Sequence, residues 1–353
     1  MRAIRLAVRP GLLLAAVVLL VAPGCLKRKE MIRVARDGSV QMRVEWEGDP
    51  EDFAKGDALP TEHTGWKTQD EIVTDEEGKE ERHLVATQRF AAGRALPESY
   101  ADPRGPQYGI ALMFPTMVEI ERRSDGTYYH FTRVYESRAH ARYNIHHELL
   151  KKEIDALKEL GGKDPAELTD QERRRLISVL RTLEALKQAE YVAAGVAALE
   201  EEWPQVYGLL CRRALLDHFE KADVAQVVEL LGQPQTPERD EAVNAFGTEL
   251  IETARDVLRR QMQELRVRSD QIELFFAAYD EEEARWAVTE DIDDEHWEVR
   301  VELPGEVVAH NGTSIDGRFV VWEFPGKVMF DRDHVLMVTS RVARGAGRHE
   351  GDE

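Results

Sequence analysis

The period of the apolar residues changes twice along this chain, and any fold it adopts must accommodate both changes. Across residues 32–135 apolar side chains recur at every second position in short runs. From Glu136 they recur every three to four residues, and from Trp297 the two-residue period returns. A strand sends successive side chains to opposite faces, whereas a helix returns to one face after three or four residues. The pattern predicts an α+β protein in which an antiparallel sheet domain is built from N- and C-terminal segments, with a long inserted α-helical bundle between them. Residues 25–136 and 287–341 are assigned to the sheet domain, 137–286 to the helical insert, and 342–353 to a polar tail that is expected to be disordered.

Turn chemistry divides the first sheet segment into three hairpins. Ile32 and Val34 lead to Asp37-Gly38, after which Val40, Met42, Val44 and Trp46 alternate. The second hairpin turns at Asp75-Glu76-Glu77-Gly78 and the third at Asp125-Gly126. Residues 48–65 and 91–107 hold too many Gly, Pro and Asp for regular elements. Five helices are expected in the insert, over 137–160, from a Thr169/Glu172 capping box towards Trp203, over 205–231, from Pro237 to about Arg268, and over 271–285. Strands over 297–302, 307–308, 319–324 and 335–338 close the chain.

Residues 1–24 have the three parts of a secretory signal. Arg2, Arg5 and Arg9 give a positive start, residues 12–21 an uncharged apolar core, and Ala22 and Gly24 a small-residue exit. Crossing about 30 Å of hydrocarbon takes roughly 20 apolar residues, so this core predicts a cleaved signal and no permanent membrane span. Ala22-Pro23-Gly24-Cys25 resembles the lipobox of bacterial lipoproteins, with Ala22 at the usual hydrophobic position and Pro23 inside the motif. In that family the cysteine becomes the first mature residue and carries acyl chains. The resemblance implies lipidation of Cys25 and an ectodomain outside the cytoplasm, anchored to the cell membrane or the outer membrane. At about 0.8 kcal/mol per buried CH₂, several acyl chains make such an anchor effectively permanent. An ordinary secretory signal followed by a coincidental cysteine is the alternative. Residues 27–30 read as a short polar tether.

The chain carries 47 Lys and Arg against 67 Asp and Glu, a net charge of −20; loss of residues 1–24, with three arginines and no acid, makes it −23. That excess repels phosphate backbones, so nucleic acid is not an expected partner. With Cys25 acylated, Cys211 has no disulfide partner and is expected to be a small buried hydrophobe.

Leu303-Pro304-Gly305-Glu306-Val307, followed by Asn311-Gly312, Gly317 and Val321-Trp322-Glu323-Phe324, is similar to the closing hairpin of LppM-type envelope lipoproteins. The opening hairpin with Asp37-Gly38 is similar to the start of that family. The resemblance implies a non-enzymatic module displayed on the cell envelope that binds a lipid or protein partner there, and it transfers no functional residues. Two alternatives stay open: a periplasmic metal-dependent hydrolase, and a structural envelope module that oligomerises through the helical insert.

Candidate sites are few, and no catalytic residue, cofactor site or metal ligand is assigned. His140, Asn144 and His147 share a helix face, and His146-His147-Glu148 invites a metal, but no second element closes a ligand shell. Asp291-Ile292-Asp293-Asp294-Glu295 starts like a calcium loop with Glu302 at the twelfth position; His296 stands where the sharp turn needs glycine, so an exposed acidic connection is expected. The sequence holds no GxSxG elbow, phosphate-binding glycine loop or GxGxxG motif. Trp46, Tyr128, Tyr129, Phe131, Trp297, Phe319, Trp322 and Phe324 are expected to form the sheet's core against the helices, or to line a ligand groove.

Overall fold

The computed structural model describes residues 26–50, 52–55, 57–74, 78, 80–138, 151–152, 165–199, 205–234, 236–292 and 295–344. The chain divides into a sheet unit drawn from residues 24–140 and 285–353 and a helical unit drawn from 141–284. The fold is α+β, with the helices inserted between the N- and C-terminal strand segments.

The sheet unit begins with two hairpins, β1 (Lys27–Val34) with β2 (Val40–Gly48), and β3 (Lys67–Thr74) with β4 (Glu80–Phe90). A third joins β5 (Thr116–Arg123) to β6 (Gly126–Tyr135). After the helices come β7 (His296–Glu302), β8 (Glu306–His310), β9 (Ser314–Asp316), β10 (Phe319–Pro325) and β11 (His334–Ala343). Among the described residues these form a seven-stranded sheet, β3-β4-β2-β1-β7-β10-β9, and a four-stranded sheet, β5-β6-β11-β8. Among the described residues every pairing is antiparallel except that of β1 with β7, which run parallel; a parallel pair needs a long crossover, and here β2–β6 and the helical insert lie between the two strands.

The inner faces of the sheets meet, β1 against β6. Arg133 reaches Glu30 at 2.9 Å, the Tyr129 hydroxyl donates to the Arg36 carbonyl at 2.8 Å, and Tyr135 packs edge-on to Phe324. Trp46, Tyr129, Phe131, Trp297, Trp322 and Phe324 are therefore core, as alternation predicts, in a unit whose two sheets pack on one another. Tyr128 and Phe319 lie half-buried on outer faces, under Arg123 and between Arg33 and Arg300 respectively. The proline-rich stretch after β4 is irregular and buries Leu96, Ser99, Tyr100 and Ala101. Tyr100 from it packs against Trp46, Trp66 and Phe114. Arg138 ties its end down, donating to the carbonyls of Ala111 and Ile110 at 2.9 and 2.7 Å and to the Thr289 hydroxyl at 3.1 Å.

The helical unit holds α1 (Asp170–Ala198), α2 (Gln205–Lys221), α3 (Ala225–Leu231), α4 (Pro237–Glu264) and the first part of α5 (Ser269–Asp291). The Thr169/Glu172 capping box opens α1 as its sequence demands, and Thr236 caps α4 ahead of Pro237. The single helix expected over 205–231 is two. Asp223 accepts the Ala225 N–H and restarts the helix, while Arg181 takes up the Ala222 carbonyl freed by the break. Ile177, Val227, Val228, Leu231 and Val243 form one apolar cluster. Of the helix expected over 137–160, Lys151 and Lys152 are helical, Ser137 and Arg138 are not, and the rest, with His140, Asn144, His146, His147 and Glu148, lies outside the described residues.

The closing glycines differ in what they tolerate. Gly305 has φ +89°, and a methyl group there would run into the Arg341 carbonyl; Gly317 has φ +59° with open space around it. Left-handed backbone alone costs a non-glycine residue roughly 1–2 kcal/mol. Gly317→Ala is expected to lose about that much stability, and Gly305→Ala clearly more, in parallel urea titrations.

Candidate functional site

The candidate site is the point where the chain enters the sheet unit, one residue after the cysteine of the lipobox-like motif. Cys25 lies outside the described residues. Leu26 is already 2 % exposed; its carbonyl accepts the His296 N–H, and Gly48 has no side chain where Leu26 crosses it. Lys27 pairs with Glu47 on one side and His296 on the other. The polar tether expected over 27–30 is thus the start of a central strand. Hydropathy conceals it because the inward positions of this strand carry Arg28 and Glu30 ahead of Ile32 and Val34.

Arg28 is buried between the rings of Trp46 and Trp297, its guanidinium carbon 4.2 and 4.9 Å from their centroids. Its Nη2 donates to Glu295 Oε1 at 2.8 Å, and its Nε lies 2.5 Å from Glu295 Oε2. Asp57 stands on its other side at 3.5 Å and accepts the Leu112 N–H at 2.9 Å, so the cluster also pins the irregular stretch before β5. Burial works against the charge on Arg28, but Glu295 and Asp57 outweigh it and raise its pKa. Burial pushes the Glu295 carboxyl up to about 8, against the pull of Arg28 and with Asp291 and Asp57 adding to the push. A second buried pair follows two residues along β1, where Glu30 meets Arg133, whose guanidinium lies 4.1 Å from the Phe114 ring centroid.

This corrects the reading of residues 291–295 as an exposed acidic connection. Asp291 ends α5, Ile292 and Glu295 are buried, Gly326 packs directly on the Ile292 carbonyl, and residues 293–294 lie outside the described ones. Both Glu295 oxygens face Arg28, and Glu302 pairs with Arg33 at 3.2 Å from within β7, which is not the arrangement of a calcium loop. Among the described residues no group of three or more His, Cys, Asp and Glu is placed to hold a metal ion, and no helix is long and apolar enough to cross a membrane. Cys211 is buried in α2 and free of any disulfide; burial pushes its thiol up to about 12, which leaves it inert.

At the closing motif, Asn311 joins the two sheets. Its Oδ1 accepts the Trp322 indole N–H at 2.9 Å and the Met337 N–H at 2.8 Å, while its Nδ2 donates to the Val335 carbonyl at 2.7 Å. Pro304 ends β7, and its carbonyl accepts the Ser340 hydroxyl. The motif's residues hold the strands in place and expose no reactive group.

No family model matches the sequence, and no curated protein matches it. Among solved structures, the NMR structure of the folded domain of Mycobacterium tuberculosis LppM aligns over 91% of this chain and 93% of its own, at 8% identity and a TM-score of 0.28. A superposition this loose carries no argument about fold or site.

Removing the Arg28 guanidinium leaves two buried carboxyl groups, Glu295 and Asp57, without their cation. Arg28→Met should destabilise the sheet unit by about 3–5 kcal/mol in urea unfolding, the cost of breaking a buried pair from one side. The Glu295 proton leaves an unfolded chain near pH 4.5 and the folded one near 8. Between those values the folded state binds more proton, so unfolding free energy falls as pH rises. Urea titrations across that window should show the decline in the wild type and its loss in Glu295→Gln.

Proposed function

We propose that this chain is a bacterial envelope lipoprotein, anchored in a membrane through acylated Cys25 and carrying a non-enzymatic α+β ectodomain that binds a lipid or protein partner of the envelope. The observation that carries the reading is the uninterrupted order along residues 1–34: charged start, short apolar core, small residues, cysteine, and at once a strand central to a folded domain. A signal of this kind is removed from the mature protein. The acyl chains bind the bilayer, and the strongly negative ectodomain adds no general attraction to anionic lipid surfaces. Arg28 and Arg133 are buried against Glu295, Asp57 and Glu30, which supports a structural role for these charges.

Mass spectrometry of the protein from its own membrane fraction tests this. The expected mature chain begins at an acylated Cys25, and Cys25→Ser should abolish that mass and release the ectodomain from membranes. A wild-type protein recovered soluble with an unmodified Cys25 would contradict the reading.

A further inference from the structure

We infer that the free edge of β5 accepts an added strand from an acidic polypeptide of the envelope, held through its backbone and through Arg36, Arg94 and Arg122. The inference rests on the reading above that the ectodomain binds a partner there, and it names that partner's chemistry and its place on the sheet unit.

β5 is an edge of the four-stranded sheet, and among the described residues only β6 makes backbone hydrogen bonds to residues 116–123. Residues 124–125 form a two-residue turn, so Arg123 and Gly126 are the bonded pair that closes the hairpin. Alternation then points the N–H and C=O groups of Val118, Ile120 and Arg122 at the open edge. A row of such groups is what strand addition uses. The other edges offer less. β8 and β9 span five and three residues, and β3, as long as β5, carries Asp70 and Glu71 beside Lys67, with Asp70 already bound to Arg82 at 2.6 Å.

The charge beside this edge selects the partner. Ile120 and Ala92 both reach the turn between β1 and β2: a methyl group on Gly38 would lie 2.8 Å from Ile120 Cδ1 and 3.8 Å from Ala92 Cβ. Arg36, Arg94 and Arg122 each stand two residues from one of these three, at most about 7.6 Å between Cα atoms. All three are exposed, and among the described residues nothing pairs with their guanidinium groups. The acids nearby are engaged or face away. Asp37 accepts from the Ser39 N–H and hydroxyl at 2.9 and 2.7 Å, Asp125 from the Tyr128 hydroxyl at 2.6 Å, and Glu121 meets Arg123 at 2.5 Å. Glu119 and Glu121 lie on the outer side of β5, opposite His130 and Tyr128; Val118, Ile120 and Arg122 lie on the inner side, opposite Phe131, Tyr129 and Thr127.

An added strand that is acidic on its inner side and neutral on its outer side meets the arginines and avoids both glutamates. A second copy does not fit that description, because pairing about Ile120 sets Glu119 against Glu121. The chain crosses to the helical unit after Tyr135 and returns before His296, both at the opposite end of the sheets; Tyr135 is about 26 Å along β6 from Thr127.

The test uses the full chain in neutral detergent and a fluorescent peptide of alternating glutamate and valine, about ten residues long so that it spans β5. Anisotropy is expected to show binding that weakens as salt is raised. The combined variant Arg36→Ser, Arg94→Ser, Arg122→Ser loses three exposed contacts and should bind about tenfold more weakly; a thermal melt checks that it is folded. The same peptide N-methylated throughout keeps its charge but cannot pair as a strand, and it should not bind. A methylated peptide that binds as well, an arginine variant that binds as the wild type does, or a peptide that does not bind overturns the inference. Polyphosphate binding in the peptide's place assigns the arginines to a phosphate polymer instead, and dimerisation through β5 in light scattering assigns the edge to a second copy. Acylation of Cys25 is read separately by mass, so each of these failures leaves the anchor standing, and a missing acyl mass overturns the anchor alone.

Discussion

Arg28, held between Trp46 and Trp297 and paired with Glu295, is the interaction on which the sheet unit depends. It joins a strand at the start of the chain to the residue that opens a strand 267 positions later, across the one parallel pairing of the sheet. Apolar burial alone would tolerate a two-residue slip of β1, because the same face would still point inward. Charges at positions 28 and 30 do not. Arg28 must meet Glu295 and Asp57, and Glu30 must meet Arg133, so a slip would leave buried charges facing apolar rings. The polar core thus sets register where hydrophobicity would leave it open.

The same geometry makes β1 depend on a distant part of the chain. β1 is central, flanked by β2 and β7, and β7 follows the helical insert. The segment after Cys25 can reach its final place only after the end of the chain is available. The Gly and Pro positions of the closing motif serve the same assembly. Gly305 lets the chain pass under the Arg341 carbonyl, and Asn311 ties β8 and β11 of one sheet to Trp322 of the other.

Much of this was legible in the sequence, for identifiable reasons. Asp37-Gly38 and Asp125-Gly126 mark hairpins because both are flanked by clean alternation, and Thr169 with Glu172 marks a helix start because the capping pair is local. What was not legible depends on distant partners. Residues 27–30 look like a tether until Glu295 and Arg133 are placed beside them, and residues 291–295 look exposed until Arg28 is. The break at Ala222 turns on a local Asp223 cap within an otherwise helical run. β9 is too short to show a period, and β11 continues to Ala343, beyond its apolar stretch, because it pairs with residues 126–128. The aromatic set was recognised, but a second sheet and a helical layer make the same demand on an alternating strand, so the sequence left its partner open.

The central claim is that the folded core begins at Leu26, with no polar tether ahead of β1. Amide hydrogen exchange of residues 27–34 tests it most directly. Amides in a central, doubly paired strand open only with the unit as a whole, so those of β1 are predicted to exchange as slowly as those of β2 and β7. Exchange of residues 27–30 at the rate of an unstructured peptide, with β2 and β7 still protected, would contradict the account.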